Sequence, residues 1–101
     1  MTKTGEMHLK ALRDGREVFL KGELVGDVTS HPAYRNSVAT AGLLYDFQAA
    51  PENIEALTFV SPDSGERVNR CWQLVESYDE LLARRHALER WAECHFGFLG
   101  R

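Results

Sequence analysis

The strongest candidate for chemistry in this sequence is Arg101, which ends an apolar tail interrupted by glycines. A guanidinium is permanently charged and offers a planar fork of donors to a carboxylate or phenolate oxygen. Gly97 and Gly100 would let a ligand approach the backbone. Phe96 and Phe98 could line an apolar wall beside it. The tail therefore predicts an anion-binding arginine in an aromatic pocket, although each residue type is individually common.

The histidines and cysteines do not form a recognisable metal or nucleophile signature. Cys94 and His95 are adjacent, so on a helix their side chains point about 100° apart and cannot easily share one ion. A Cys/His nucleophilic pair would need Cys71 or Cys94 beside a histidine in space, and no spacing requires it. We expect no metal site, and two reduced thiols in preference to a disulfide.

A basic cluster near the C-terminus has two interpretations. It consists of Arg84, Arg85, His86 and Arg90. The cluster could bind phosphate, but Glu80 and Glu89 lie four residues from Arg84 and Arg85 and therefore share their helical faces. A solvated face of salt bridges is the favoured interpretation, and no glycine loop of the phosphate-cradling type accompanies the cluster.

The helix that carries this cluster is predicted to begin at Ser77 and to run into the tail. Ser77 can cap it, and Glu80 is placed to reach back to the N–H of the cap, as in a capping box. Its apolar residues form one broad stripe that we expect to face a core. They are Leu81, Leu82, Leu88, Trp91, Ala92 and His95.

The N-terminal half predicts a short helix, a hairpin and a longer helix. The short helix should span about 5–13 from Thr4, and a Lys21-Gly22 turn should join strands at 16–20 and 23–25. The longer helix should open at Ser30-His31-Pro32 and end before Pro51. Its predicted face comprises Tyr34, Val38, Ala41, Leu44, Tyr45 and Gln48, widened by Leu43 and Phe47.

The segment between the two long helices predicts a second hairpin. A single helical turn is expected within 51–56, followed by a strand at 57–60. The turn-rich loop 61–66 should return the chain as a partner strand at 67–72. The fold class is therefore α+β, mainly helical with two short β-hairpins.

The composition is typical of an ordinary soluble globular chain and argues against some classes of partner. The 101 residues are 44% hydrophobic and 27% charged, which suits one domain at most. A net charge of −3 argues against nucleic acid as a partner. The apolar runs are too short for a membrane span and the N-terminus has no secretory signal, so we expect a cytoplasmic protein with no membrane partner.

Short motifs in a fixed order along nearly the whole chain resemble a known family. They include Leu12 to Val18, Asp27 to Asn36, Leu44-Tyr45-Asp46, Ser61 to Glu66, Trp91-Ala92-Glu93 and Phe98-Leu99-Gly100-Arg101. The set is similar to the N-terminal segment of the 4-hydroxyphenylacetate 3-hydroxylase family, the large oxygenase component of two-component flavin monooxygenases.

The resemblance implies the N-terminal part of an acyl-CoA-dehydrogenase-like fold, with residues 1–101 as a single partial domain. The flavin-binding β domain and the C-terminal helical bundle would be absent from it. The resemblance also implies FAD, used as FADH2 from a separate flavin reductase, and a phenolic substrate that Arg101 binds. His31 matches a His-Pro of the family, which we interpret as helix-start structure.

These implications leave three functional hypotheses. The first is an N-terminal portion of an aromatic monooxygenase, inactive alone because the cofactor site lies elsewhere, that pairs with the remainder of the oxygenase or with further copies. The second is a stand-alone helical interaction module. The third stays within the family but follows its 4-hydroxybutyryl-CoA dehydratase-like branch.

Overall fold

The computed structural model describes residues 2–97. The helices found there are α1 (Gly5–Ala11), α2 (Arg35–Ala49), α3 (Ile54–Leu57) and α4 (Tyr78–Cys94), and the strands are β1 (Val18–Leu20), β2 (Glu23–Val25), β3 (Thr58–Val60) and β4 (Arg67–Asn69). The described residues form two compact units, one of residues 3–46 and one of residue 2 with residues 47–97. No helix within residues 2–97 is long and apolar enough to cross a membrane.

Helix α1 begins where the sequence predicted and packs closely on α2. The hydroxyl of Thr4 accepts a hydrogen bond from the N–H of Met7, and Leu12 closes the helix slightly before the predicted end. Leu9 contacts α2 at Gly42, where a Cβ would lie 2.8 Å from the Leu9 Cδ1 atom. The absence of a side chain at Gly42 therefore lets α1 approach α2 closely.

The first hairpin is confirmed together with its turn, although β1 begins at Val18, two residues later than predicted. Strands β1 and β2 are antiparallel, and Lys21 and Gly22 both have positive φ, at 51° and 81°. Two successive positive φ values match the right-handed twist of a two-residue hairpin. Val25 is buried on one face, while Phe19 and Leu24 lie directly opposite each other and are exposed on the other.

The predicted start of α2 at Ser30-His31-Pro32 is wrong, because the helix begins at Arg35. The carboxylate of Asp27 accepts hydrogen bonds from the backbone and hydroxyl of Thr29, and His31 Nδ1 accepts the Ala33 N–H at 3.1 Å. These local side-chain bonds hold the segment in turns. The end of α2 before Pro51 is confirmed.

The predicted apolar face of α2 is confirmed in part. Leu44 and Gln48 are buried and Tyr45 is half-buried. Leu43 is 68% exposed, so it does not widen the buried face as predicted.

The second hairpin forms with shorter strands than predicted. The predicted helical turn exists as α3 and ends at Leu57, so β3 begins one residue late, at Thr58. Strand β4 ends at Asn69, whose side chain accepts the Cys71 N–H at 2.7 Å and caps a 3₁₀ turn over Arg70–Trp72. The prediction of strand through Trp72 is therefore wrong.

Helix α4 begins as predicted, but its cap and its buried face differ in detail. Ser77 accepts the Glu80 N–H at 3.1 Å, whereas the Glu80 carboxylate accepts the N–H of Glu76, not that of Ser77. The buried residues recur every four positions: Ala87, Trp91 and His95. Leu81 and Leu82 are exposed, which corrects the prediction that they join the core stripe.

Candidate functional site

The predicted site residue Arg101 lies outside the described residues, as do Phe98, Leu99 and Gly100. The structure therefore describes how the chain approaches that site, through the end of α4 and the turn that follows it. Phe96 and Gly97 are the last two residues of this approach.

The end of α4 is a Schellman-type turn in which phenylalanine occupies the position usually taken by glycine. The Gly97 N–H donates to the Ala92 carbonyl at 2.9 Å, and Phe96 adopts the left-handed conformation with φ 56°. This conformation costs a residue with a Cβ about 1 kcal/mol. The Phe96 ring offsets none of that cost by burial, since the residue is 98% exposed. A strained, exposed aromatic residue at a helix end favours a role in binding.

A shallow groove of about 650 Å³, widely open to solvent, lies beside this turn. It is lined by Glu89, Ala92, Glu93 and Phe96. The lining combines a phenyl ring and a small apolar residue with two carboxylates, so the groove suits an apolar ligand and repels an anion unless a cation joins it. Phe96 contributes an aromatic wall to this groove, while its predicted place beside Arg101 stays a prediction because Arg101 lies outside the described residues.

Cys94, on the last turn of α4, is chemically quiet. Partial burial raises the pKa of its thiol, and the neighbouring charge of Glu93 raises it further, against a smaller opposing effect of Arg90. A raised pKa leaves less thiolate at neutral pH, and the thiolate is the nucleophile. The geometry therefore gives no support to a Cys/His nucleophilic pair at this position.

Arg90 fixes α4 to the segment that precedes α3. Its guanidinium donates to the side-chain oxygen of Asn53 and lies 6.0 Å from the centre of the Phe47 ring. Asn53 is only 3% exposed, and its amide donates to the Phe47 carbonyl at 3.0 Å. The arginine is therefore a positioning residue for the helix that leads to the candidate site.

The other two arginines of the basic cluster bind different partners. Arg85 pairs with Glu89 at 3.1 Å, as predicted for a solvated face. Arg84 does not pair with Glu80 but donates to the Gln73 carbonyl at 3.0 Å. These contacts do not support phosphate binding, because Arg84 and Arg90 both donate hydrogen bonds to acceptors within the protein.

Arg70, which the sequence did not single out, organises the corner between α3 and β3. Its guanidinium donates to the carbonyls of Glu55, Ala56 and Thr58 and to the side chain of Gln73. These acceptors include carbonyls at the end of α3, which otherwise lack partners. No local pattern identifies such a residue, because most of its partners lie more than ten positions away.

The histidines of the first unit have structural settings. His8 stacks on Tyr45 with ring centres 4.4 Å apart, and burial together with the charge of Lys3 lowers its pKa. His31 lies in the turn before α2, where its Nδ1 accepts the Ala33 N–H, so its predicted place at the helix start is wrong although its role is structural. Within residues 2–97, no group of three or more His, Cys, Asp or Glu side chains could hold a metal ion.

The groove at the end of α4 does not fit the pyrophosphate of FAD. Binding FAD requires donors or cations for its pyrophosphate, whereas the groove at the end of α4 presents Glu89 and Glu93. The arrangement can instead supply one aromatic wall of a pocket at the end of α4.

The helices, the two small antiparallel sheets and the solved structures that match them define the N-terminal part of an acyl-CoA-dehydrogenase-like fold. The chain belongs to the family described as 4-hydroxyphenylacetate 3-hydroxylase N terminal, whose model matches residues 4–101.

Two curated relatives illustrate the family. Over 99 residues the chain is 39% identical to the oxygenase component of 4-hydroxyphenylacetate 3-monooxygenase from Escherichia coli, covering 97% of this chain and 19% of the relative. Over 100 residues it is 40% identical to the oxygenase component of 4-nitrophenol 2-monooxygenase from a Rhodococcus species, covering 97% and 19%. The chain thus spans about a fifth of the length of these relatives.

Two solved structures are similar as well. The oxygenase component of 4-hydroxyphenylacetate 3-monooxygenase complexed with FAD and 4-hydroxyphenylacetate matches with a TM-score of 0.86 and 33% identity, over 98% of this chain and 21% of that one. An archaeal 4-hydroxybutyryl-CoA dehydratase matches with a TM-score of 0.72 and 26% identity, over 92% and 18%.

Proposed function

We propose that this chain is the N-terminal segment of the oxygenase component of a two-component, FADH2-dependent phenol monooxygenase. The observation that carries the proposal is the match along nearly the whole chain to an oxygenase that contains both FAD and a phenolic ligand. The dehydratase is the less similar of the two structures, so the hydroxylase branch is favoured.

In this proposal Arg101 binds the substrate. Its guanidinium would orient the phenol through the phenolic oxygen, and its charge would favour the phenolate. A phenolate has a more electron-rich ring, which promotes attack on an electrophilic oxygen donor. Phe96 would form part of the apolar wall that receives the ring.

The flavin would be held by parts of the oxygenase outside this segment and would supply the activated oxygen. We therefore expect the 101-residue chain to be inactive alone, with a flavin reductase and the remainder of the oxygenase, or further copies of it, as partners. We also expect a cytoplasmic location, where reduced flavin can pass from the reductase.

A chimera tests this function. The matched first fifth of the Escherichia coli relative is replaced by this chain, and hydroxylation of 4-hydroxyphenylacetate is measured with a flavin reductase, FAD and NADH. We expect formation of the ortho-dihydroxy product by the chimera and none by the isolated chain. A folded, FAD-binding chimera that hydroxylates no phenol would contradict the proposal, and so would product formation by the isolated chain.

The stand-alone interaction module is the second candidate. Apolar residues on the exposed side of α4, among them Tyr78 and Leu81, favour a docking role of some kind. Such a module and an oxygenase segment differ in whether that surface meets a separate partner or the rest of the same polypeptide.

A further inference from the structure

Helix α4 is apolar on two faces, only one of which is buried. Ala87 and Trp91 face the core of their unit. Leu81 and Leu82 lie three and four residues after Tyr78 and therefore share its face, which differs from the buried one, since each residue turns the helix by about 100°. On this outer face Tyr78 is 75% exposed and Leu81 is 47% exposed.

The outer face continues along the whole helix. Arg85 follows one turn after Leu82 and Glu89 two turns after it, and the two form an ion pair with each other. Ala92 and Phe96 follow and line the groove at the end of the helix. We call Tyr78, Leu81, Leu82, Ala92 and Phe96 the outer stripe. Because the central charges are already paired, a covering surface need not provide counter-charges, although it must desolvate the pair.

Leu74, in the segment just before α4, is a further exposed apolar residue. The preceding residue, Gln73, is bound to α4 through the Arg84 hydrogen bond, which holds the segment beside the helix. Leu74 is highly exposed there. Several exposed apolar residues on one side of a helix are typical of an interaction site.

We propose that the outer stripe is the surface on which the remainder of the oxygenase polypeptide docks, an inference that rests on the proposed function. In the curated relatives the matching segment is about a fifth of a longer chain, so a tethered partner of about four times its length is available. Tethering gives that partner a high effective concentration. The spacing of the stripe suits packing of another helix along α4.

The test compares the same substitutions in the isolated chain and in the Escherichia coli chimera. The double variant L81E/L82E places two carboxylates on the stripe without lowering helix propensity much. L43E is the matched control, because Leu43 is also an exposed helical leucine but lies on α2. Thermal unfolding midpoints and sedimentation velocity are measured for all variants.

In the isolated chain, L81E/L82E should shift the midpoint by less than about 3 °C, because the leucines are exposed. In the chimera it should lower the midpoint by about 5 °C or more, while L43E changes neither protein appreciably. An unchanged thermal midpoint of the L81E/L82E chimera would overturn the proposal. An equal decrease of the midpoint in the L43E chimera would do the same, and so would an insoluble chimera with the unaltered stripe.

Sedimentation velocity tests the alternative occupant of the outer stripe, a second copy of this chain. If the isolated chain is a dimer that L81E/L82E converts to a monomer while the chimera is unaffected, the stripe binds a second copy and the proposal is wrong. Failure of the proposed function gives a different result. A chimera that is destabilised by L81E/L82E but hydroxylates no phenol would contradict the proposed function and would still support the docking surface.

Discussion

The carboxylate of Asp46 accepts a hydrogen bond from the backbone N–H of Gly5 at 2.7 Å, across 41 positions of sequence. A side chain of α2 therefore satisfies a donor in the first turn of α1, where the helix itself offers no acceptor. The negative charge also suits the positive end of the helix dipole. This contact is possible because neither Gly5 nor Gly42 carries a Cβ that would separate the two helices.

The first prediction concerns this close approach. A Cβ on Gly5 would overlap the Gly42 carbonyl and lie 2.6 Å from an Asp46 oxygen. G5A should therefore lower the free energy of unfolding by about 1–3 kcal/mol. G26A is the control, because a Cβ there meets no atom within 4 Å. Urea unfolding of both variants measures the difference, and equal stability of G5A and wild type would contradict the described packing.

The second prediction concerns His8 and acid. Burial, followed by the charge of Lys3, lowers the His8 pKa in the folded chain. The unfolded state therefore binds the proton more readily. This contribution to stability should be complete above a pH of about 6.5 and should be lost as the pH falls from there through the lower folded pKa.

Urea midpoints at several pH values between 7.5 and 5 measure this loss. H8Q should reduce the acid-dependent decrease, and K3Q should reduce it less, since burial is the larger cause. An H8Q variant with the same pH dependence as wild type would show that His8 does not carry the effect.

The third prediction contrasts two arginines on α4. Arg90 donates to the buried Asn53, whereas Arg85 forms an exposed pair with Glu89. R90A should lower the free energy of unfolding by about 1–2 kcal/mol, and R85A by less than about 0.5 kcal/mol. A double-mutant cycle of R90A with N53A should give a coupling of about 1 kcal/mol. Additive effects in that cycle would refute the contact.

The fourth prediction concerns the strained helix end. F96G and F96A both remove the exposed ring, but only glycine also removes the cost of the left-handed conformation. F96G should therefore be more stable than F96A by about 1 kcal/mol in thermal or urea unfolding. If the ring forms a wall of the substrate pocket, both variants should raise the KM of the chimera for 4-hydroxyphenylacetate. A less stable F96G would argue against the left-handed turn.

Local signals accounted for the features that the sequence predicted well. Lys21-Gly22 specifies a tight hairpin turn, and Ser77 specifies a helix start, because each acts on its own backbone neighbours. The same reasoning failed at His31-Pro32, where two side chains stabilise turns in place of a first helical turn.

Features that depend on distant partners could not be predicted. Arg84 and Glu80 have the spacing of an ion pair, yet Arg84 binds the Gln73 carbonyl. Arg90 donates a hydrogen bond to Asn53, which lies 37 positions earlier in the sequence. Leu81 and Leu82 fit a core stripe by periodicity alone, and periodicity does not reveal which of two apolar faces is covered. The substrate role of Arg101 stays a prediction from family resemblance.

The most direct test of that role is kcat/KM of the chimera for 4-hydroxyphenylacetate with R101Q and R101K. R101Q should lower kcat/KM by roughly tenfold to a hundredfold, because a hydrogen bond to a charged group contributes about 1.5–3 kcal/mol. R101K should lose less, since it keeps the charge but not the planar fork. R16Q is the control: it alters an exposed arginine paired with Asp14 and should leave kcat/KM unchanged. Wild-type kcat/KM in R101Q would contradict a substrate-binding role for Arg101.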